Sequence, residues 1–236
     1  KLGKETLYNY LRKFGIGQST NSKLPGESAG ILHPVKEWSG TSLPTIAFGQ
    51  GYSLTAMQST SVFATIANDG VRVSPSILAG VVDESGKYTP AKENESVRVL
   101  SSQTASNMRA MMESVVSSNG TAPAAAISGY RIAGKTGTAQ GFGNLPWNDS
   151  SAFGAFSLSP RSEYKYSAFA YLEKSGYGSQ AAAPVVKCMY VALAGKYRFD
   201  PINAADPLNT NSSLAAQPTY LRNPSCLVSG RSESRD

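Results

Sequence analysis

The sequence contains few of the residues from which metal and histidine-dependent sites are built. Its 236 residues include one histidine, His33, and two cysteines, Cys188 and Cys226, which lie far apart in the chain. Their spacing and surroundings suggest no metal site, redox pair or disulfide framework, so two unpaired thiols are expected. A Ser-His-Asp arrangement would have to use His33, which a proline-flanked loop makes more typical of a surface histidine. We therefore expect no cofactor and no metal ion.

Long apolar runs and clustered charges are also missing. No stretch reaches the roughly eighteen apolar residues of a membrane-spanning helix, and the first residues have no apolar signal core. Charged residues make up only 16%, and the net charge of +6 is spread over single Lys and Arg residues. That distribution disfavours nucleic acid as a partner. The 41% of hydrophobic residues, with 22 Gly and 13 Pro, indicates a globular, loop-rich mixed fold.

Periodicity and capping signals predict helices and an antiparallel sheet within residues 1–197. The predicted helices cover 1–14, 55–68, 101–116 and 181–196, and the predicted strands of the sheet cover 130–139, 152–158 and 164–172. Weaker alternation over 71–100 predicts a short strand pair. Residues 198–236, rich in Asn, Ser, Pro and Ala, predict a disordered tail. The first helix has no preceding methionine, so we expect the chain to be part of a longer protein.

The sharpest local signal is Gly-Lys-Thr-Gly-Thr-Ala at 134–139, inside a predicted strand. Side chains alternate along a strand, so Thr136 and Thr138 present two hydroxyls on one side, about 7 Å apart. Hydroxyls so placed can bind a carboxylate, while Gly137 lets a ligand come close and Lys135 adds positive charge. Alternation sends Lys135 to the other face, so its side chain has to bend around the strand.

Several further blocks, together with the strand at 134–139, resemble class B penicillin-binding proteins, above all the division-type transpeptidases. These blocks, in the order of that family, are Leu24–Gly30, Ala47–Thr55, Ala67–Gly70 and Gly129–Gln140. The resemblance covers about residues 1–197. It implies an α/β (α+β) fold of the serine β-lactamase and transpeptidase type, with an antiparallel sheet flanked by helices and incomplete at its N-terminal side.

The resemblance also implies roles for the residues of the strand. Thr136, Gly137 and Thr138 would bind the terminal carboxylate of a D-Ala-D-Ala stem peptide or of a β-lactam. Lys135 would take part in the proton and charge network around the nucleophile. The backbone N–H of Thr138 would stabilise the oxyanion, and the loop at 140–150 would line the cleft.

The nucleophile of that family lies in a Ser-x-x-Lys motif that opens a helix, and a Ser-x-Asn motif completes its proton relay. The resemblance implies that both lie upstream of Lys1, and the three matches within the chain are poorly placed. Ser162-x-x-Lys165 lies in a predicted hairpin, where no helix brings the lysine under the serine. Ser19-Thr20-Asn21 falls in a loop after the first helix, and Ser117-Ser118-Asn119 ends a helix. We therefore expect the isolated chain to be inactive.

The resulting hypothesis is a peptidoglycan D,D-transpeptidase, serving septal wall synthesis at the extracytoplasmic face of the cytoplasmic membrane. Its anchor would be an N-terminal segment outside this chain, and its partners would include division or envelope proteins. Two alternatives stay open. One is a β-lactam-hydrolysing or β-lactam-sensing relative, and the other is a split or decayed module that binds such partners without catalysis.

Overall fold

A computed structural model describes residues 2–92, 95–127, 129–139, 149–158 and 166–197. The chain divides into two compact units, with the boundary between Met112 and Glu113. The helices are α1 (Lys4–Lys13), α2 (Ser42–Ala47), α3 (Ala56–Ala67), α4 (Ser102–Val116) and α5 (Ala182–Tyr197). The strands are β1 (Val71–Val73), β2 (Gly80–Val82), β3 (Tyr88–Pro90), β4 (Ser96–Arg98), β5 (Ile132–Ala139), β6 (Ser150–Ser157) and β7 (Ser167–Leu172).

In the first unit, the start of α3 is fixed by a capping box. The Gln58 N–H donates to the Thr55 hydroxyl at 3.1 Å, and the Thr55 N–H donates to the Gln58 side-chain oxygen at 2.9 Å. The helix stops where Asp69 and Gly70 take φ values of 57° and 80°. Any Cβ at Gly70 would lie 2.6 Å from the Leu100 carbonyl oxygen. Glycine is therefore required at this turn by both conformation and contact.

The strands of the first unit form two separate antiparallel pairs rather than the single pair that was predicted. β1 pairs with β4, with Val71 opposite Arg98, and β2 pairs with β3, with Val81 opposite Thr89. Each strand has only three residues, too short for a clear alternating pattern. The short helix α2, which contains Pro44, lies outside the predicted helices.

The second unit is built on a three-stranded antiparallel sheet in the order β5-β6-β7, as the alternating segments predicted. Helix α5 packs along it, and its Val186 and Tyr190 lie in one core cluster with Phe153, Ala155 and Ala170 of the strands. All five side chains are buried. This apolar contact holds the sheet rigid beneath the end of β5 that carries Lys135 and the two threonines.

A buried tyrosine fixes the position of α5 on the sheet. The Tyr190 hydroxyl lies 2.8 Å from the carbonyl oxygen of Ala155 and 3.0 Å from that of Tyr166, and donates to them. Burial raises the pKa of this hydroxyl, so it remains a donor at any pH of interest. The helix therefore makes specific polar contacts with β6 and with the residue that precedes β7, in addition to its apolar contacts.

The mixed α/β class with an antiparallel sheet is confirmed, whereas the prediction of two unpaired thiols is wrong. Cys188, on α5, is disulfide-bonded, and Cys226 lies outside the described residues. The predicted tail at 198–236 also lies outside them, so the domain boundary stays a prediction. Among the helices that the structure describes, none has the length and apolar character needed to cross a membrane.

Candidate functional site

The two threonines of β5 lie opposite buried residues of β6. Thr136 is opposite Phe153 and Thr138 is opposite Ser151 in the pairing with β6. Cross-strand partners point to the same face of a sheet, and both Phe153 and Ser151 are fully buried. Thr136 is half-buried and Thr138 is exposed. The sheet therefore presents both hydroxyls on one face, from a strand that its neighbour holds in register.

Lys135 bends around the strand to the side of Thr136. Its ammonium nitrogen donates to the Thr136 carbonyl oxygen at 2.9 Å and to the Thr136 hydroxyl at 3.4 Å. Strict alternation would have kept the charge on the opposite face. The bend instead puts a cation beside a hydroxyl donor, which is a suitable pair for an anion such as a carboxylate. A Cβ at the exposed Gly137 would lie on the other face of the strand, 3.4 Å from that of Ala152.

The hydroxyl of Thr138 has a partner that the sequence did not suggest. The backbone N–H of Gly178 donates to the Thr138 Oγ1 at 3.3 Å, across 40 residues of sequence. Gly178 lies in the loop at 173–181, between β7 and α5. Gly176 and Gly178 flank Tyr177 in this loop, but no sequence pattern connects the loop with Thr138.

Two of the alternative candidates have local partners in the first unit. His33 is exposed and lies 3.2 Å from the Glu37 carboxylate, as expected of a surface histidine. Ser19 donates to the Glu27 carboxylate at 2.8 Å, so its hydroxyl is used in the loop. The Ser162-x-x-Lys165 match and the loop at 140–148 lie outside the described residues. Within the described ranges, no three His, Cys, Asp or Glu residues are grouped so that they could hold a metal ion.

Comparison with known proteins agrees with this geometry. The family described as the penicillin-binding protein transpeptidase domain matches residues 1–190. Penicillin-binding protein PbpB of Mycolicibacterium smegmatis is 47% identical over 146 residues, which is 59% of this chain and 22% of PbpB. Peptidoglycan D,D-transpeptidase FtsI of Escherichia coli is 37% identical over 131 residues, which is 56% of this chain and 21% of FtsI.

A solved structure gives the same result for the fold. Penicillin-binding protein 3 of Mycobacterium tuberculosis, crystallised with ampicillin, superimposes with a TM-score of 0.77 at 34% identity. The match covers 87% of this chain and 48% of that structure. The chain thus spans about a fifth of the curated relatives and about half of the solved one. The resemblance to division-type penicillin-binding proteins is confirmed, and the chain belongs to the penicillin-binding protein transpeptidase domain family.

Proposed function

We propose that the parent protein of this chain is a serine D,D-transpeptidase that cross-links peptidoglycan, and that this chain binds the substrate's carboxylate. The observation that carries the proposal is the end of β5. There the Lys135 ammonium lies 3.4 Å from the Thr136 hydroxyl, and Thr138 lies on the same face as Thr136. A cation and two hydroxyl donors suit the C-terminal carboxylate of a stem peptide or the carboxylate of a β-lactam.

The proposed reaction is an acyl transfer in two steps. A serine of the parent protein attacks the carbonyl between the two terminal D-Ala residues, the last D-Ala leaves, and an acyl-enzyme forms. The amine of a neighbouring stem peptide then attacks the ester, forms the cross-link and releases the serine. In each step negative charge develops on the carbonyl oxygen. The Thr138 backbone N–H is the proposed donor to that oxygen, while Lys135 stabilises the charge network around the serine.

The proposed setting follows from the family. The relatives include a named peptidoglycan D,D-transpeptidase and a penicillin-binding protein crystallised with ampicillin. We infer that β-lactams inhibit the parent protein by occupying the same carboxylate site. We also infer that it acts on the extracytoplasmic face of the cytoplasmic membrane in septal wall synthesis, together with division proteins.

We call Lys135, Thr136 and Thr138 the carboxylate clamp. Covalent labelling of the parent protein by a fluorescent penicillin tests its role. In the parent protein, Thr138→Val removes the hydroxyl but keeps the shape and the backbone N–H. A hydrogen bond to a carboxylate is worth about 1.5–3 kcal/mol, so we expect acylation to slow roughly ten- to a hundredfold. The rate constant is measured from the accumulation of labelled protein with time.

Thr89→Val is the matched control, because Thr89 is an exposed threonine on another short strand. It should acylate at the rate of the wild type. The isolated 236-residue chain should take no label, since its serine nucleophile is expected upstream. An unchanged rate for Thr138→Val would refute the carboxylate role, and labelling of the isolated chain at Ser162 would refute the placement of the nucleophile.

A further inference from the structure

The loop at 173–181 is fastened to the sheet beside the end of β5. The backbone N–H groups of Ser175 and Gly176 donate to the Asp149 carbonyl oxygen at 2.9 and 3.2 Å. The Ser175 hydroxyl lies 2.7 Å from the hydroxyl of the buried Ser151. Ser151 is the cross-strand neighbour of Thr138. Several hydrogen bonds thus hold this part of the loop against the strand pair that carries the clamp.

Gly178 approaches the strand more closely than any other residue type allows. It is buried, and a Cβ at this position would lie 2.5 Å from the Gly137 carbonyl oxygen and would also overlap that of Ala152. Its φ lies outside the left-handed region, so an ordinary backbone conformation is present. Glycine is therefore needed here for contact and not for conformation.

This contact decides what the Thr138 hydroxyl can offer a ligand. A hydroxyl has one proton and two lone pairs. The Gly178 N–H donates to the oxygen at 3.3 Å, so one lone pair is already used and the proton stays free to be donated. Thr138 is exposed, so that proton can reach a bound anion. A carboxylate has only acceptor atoms, so it can accept a hydrogen bond from a hydroxyl that is held as a donor.

We propose that Gly178 is a positioning residue, whose N–H fixes the Thr138 hydroxyl as a donor to the substrate's carboxylate. The inference rests on the proposed function of β5 and deepens it. The loop at 173–181 acts through Thr138 alone and does not touch the reacting carbonyl.

The test uses the parent protein and two matched probes, a penicillin with its free carboxylate and the methyl ester of the same penicillin. Acylation rates are measured from the mass of the intact protein. We expect Gly178→Ala to slow acylation by the free acid about tenfold and by the ester less than about twofold, because only the acid presents a carboxylate. The variant's ratio of acid to ester rates should therefore fall about fivefold or more.

Gly176→Ala is the control in the same loop. Gly176 has a φ of 79°, and a Cβ there meets no atom within 4 Å. The substitution keeps the Ser175 hydroxyl on Ser151 and leaves the approach of Gly178 unobstructed, so the acid-to-ester ratio should change less than about twofold. Ser175→Ala adds no atoms and is therefore the variant to test if Gly178→Ala does not fold. It loosens the same loop and should lower the acid-to-ester ratio about two- to threefold.

A double substitution separates positioning from a general loss of structure. Once Thr138→Val has removed the hydroxyl, adding Gly178→Ala should slow the acid reaction by less than a further twofold. Full additivity, or equal slowing of both probes by Gly178→Ala, would overturn the inference while leaving the proposed function intact. A wild-type parent that reacts with acid and ester at the same rate would instead refute the carboxylate clamp itself.

Discussion

At the scale of single residues, the Gln58 side chain connects three stretches of the first unit. Its amide nitrogen donates to the carbonyl oxygens of Gln18 and Ala29, at 2.8 Å each. Its oxygen accepts from the backbone N–H of Thr55. Only 2% of Gln58 is exposed. A buried amide of this kind is stabilising only while every partner is present, because each unpaired group then bears its full desolvation cost.

Replacing Gln58 with Leu should therefore destabilise the protein strongly. The change leaves the two carbonyl oxygens and the Thr55 N–H without their partner, and we expect a loss of about 2–4 kcal/mol in the free energy of unfolding. Urea denaturation of the parent protein measures it. Gln103→Leu is the control, because Gln103 is exposed and its amide donates to the exposed Asn107 side chain. A Gln58 variant as stable as that control would contradict this role.

A second residue of the same region, Glu27, is a carboxylate held in its ionised form. The Thr20 hydroxyl and backbone N–H both donate to it, as does the Ser19 hydroxyl at 2.8 Å. These hydrogen bonds, with that from the Thr20 hydroxyl the largest cause, lower the pKa of Glu27 from 4.5 to about 2, although burial opposes them. The loop after α1 is thus organised around one negative charge.

The lowered pKa of Glu27 predicts the pH dependence of stability. A carboxylate whose pKa is lower in the folded protein contributes its full stabilisation above the unfolded value of 4.5. That contribution is lost as the pH falls toward about 2. Glu27→Gln should lower the melting temperature near neutral pH, and the difference from the wild type should shrink over that acidic window. Glu84→Gln, at an exposed glutamate, serves as the control, and a constant difference across the window would argue against the assignment.

At the scale of elements, an ion pair joins the end of α4 to the start of β5. Arg131 donates through two nitrogens to the two oxygens of Glu113, at 2.5 and 2.6 Å. The side chains are only 23% and 31% exposed. Paired planar groups of this kind are stronger and more directional than surface ion pairs. The strand that carries Lys135 is therefore fixed to a helix just before the clamp begins.

A double-mutant cycle on this pair should give a measurable coupling. We expect Arg131→Met and Glu113→Gln each to destabilise the parent protein, and the double variant to lose about 1–2 kcal/mol less than the sum. Chemical denaturation gives the three values. The exposed pair of His33 and Glu37 is the control cycle and should show no resolvable coupling. Additive losses at Arg131 and Glu113 would mean that the pair contributes nothing beyond its separate side chains.

At the scale of the whole molecule, the sequence predicted the long elements well and the contacts between them poorly. The capping box at Thr55 and the alternation of 130–139 carry local signals, and α3 and β5 form accordingly. Helix α2 was missed because it has six residues and contains Pro44. Motif blocks in family order directed attention to the strand at 134–139, where we propose the carboxylate site.

The contact between Gly178 and Thr138 escaped prediction because it is a tertiary contact. Gly178 is 40 residues from Thr138 and has an ordinary φ, so no local rule distinguishes it from any loop glycine. The disulfide of Cys188 was missed because the cysteine spacing in the sequence matched no known framework. Sequence patterns report a residue's neighbours along the chain, whereas these roles are set by its neighbours in space.

The double use of the Gln58 amide has a consequence for how the first unit is assembled. One end of the side chain completes the first turn of α3, and the other end holds the carbonyl groups of the loop before it. Both uses belong to one side chain, so a rotation that breaks one of them also moves the other. The helix start and the loop should therefore form and open as one cooperative unit. Opening of the loop should be accompanied by fraying of the first turn of α3.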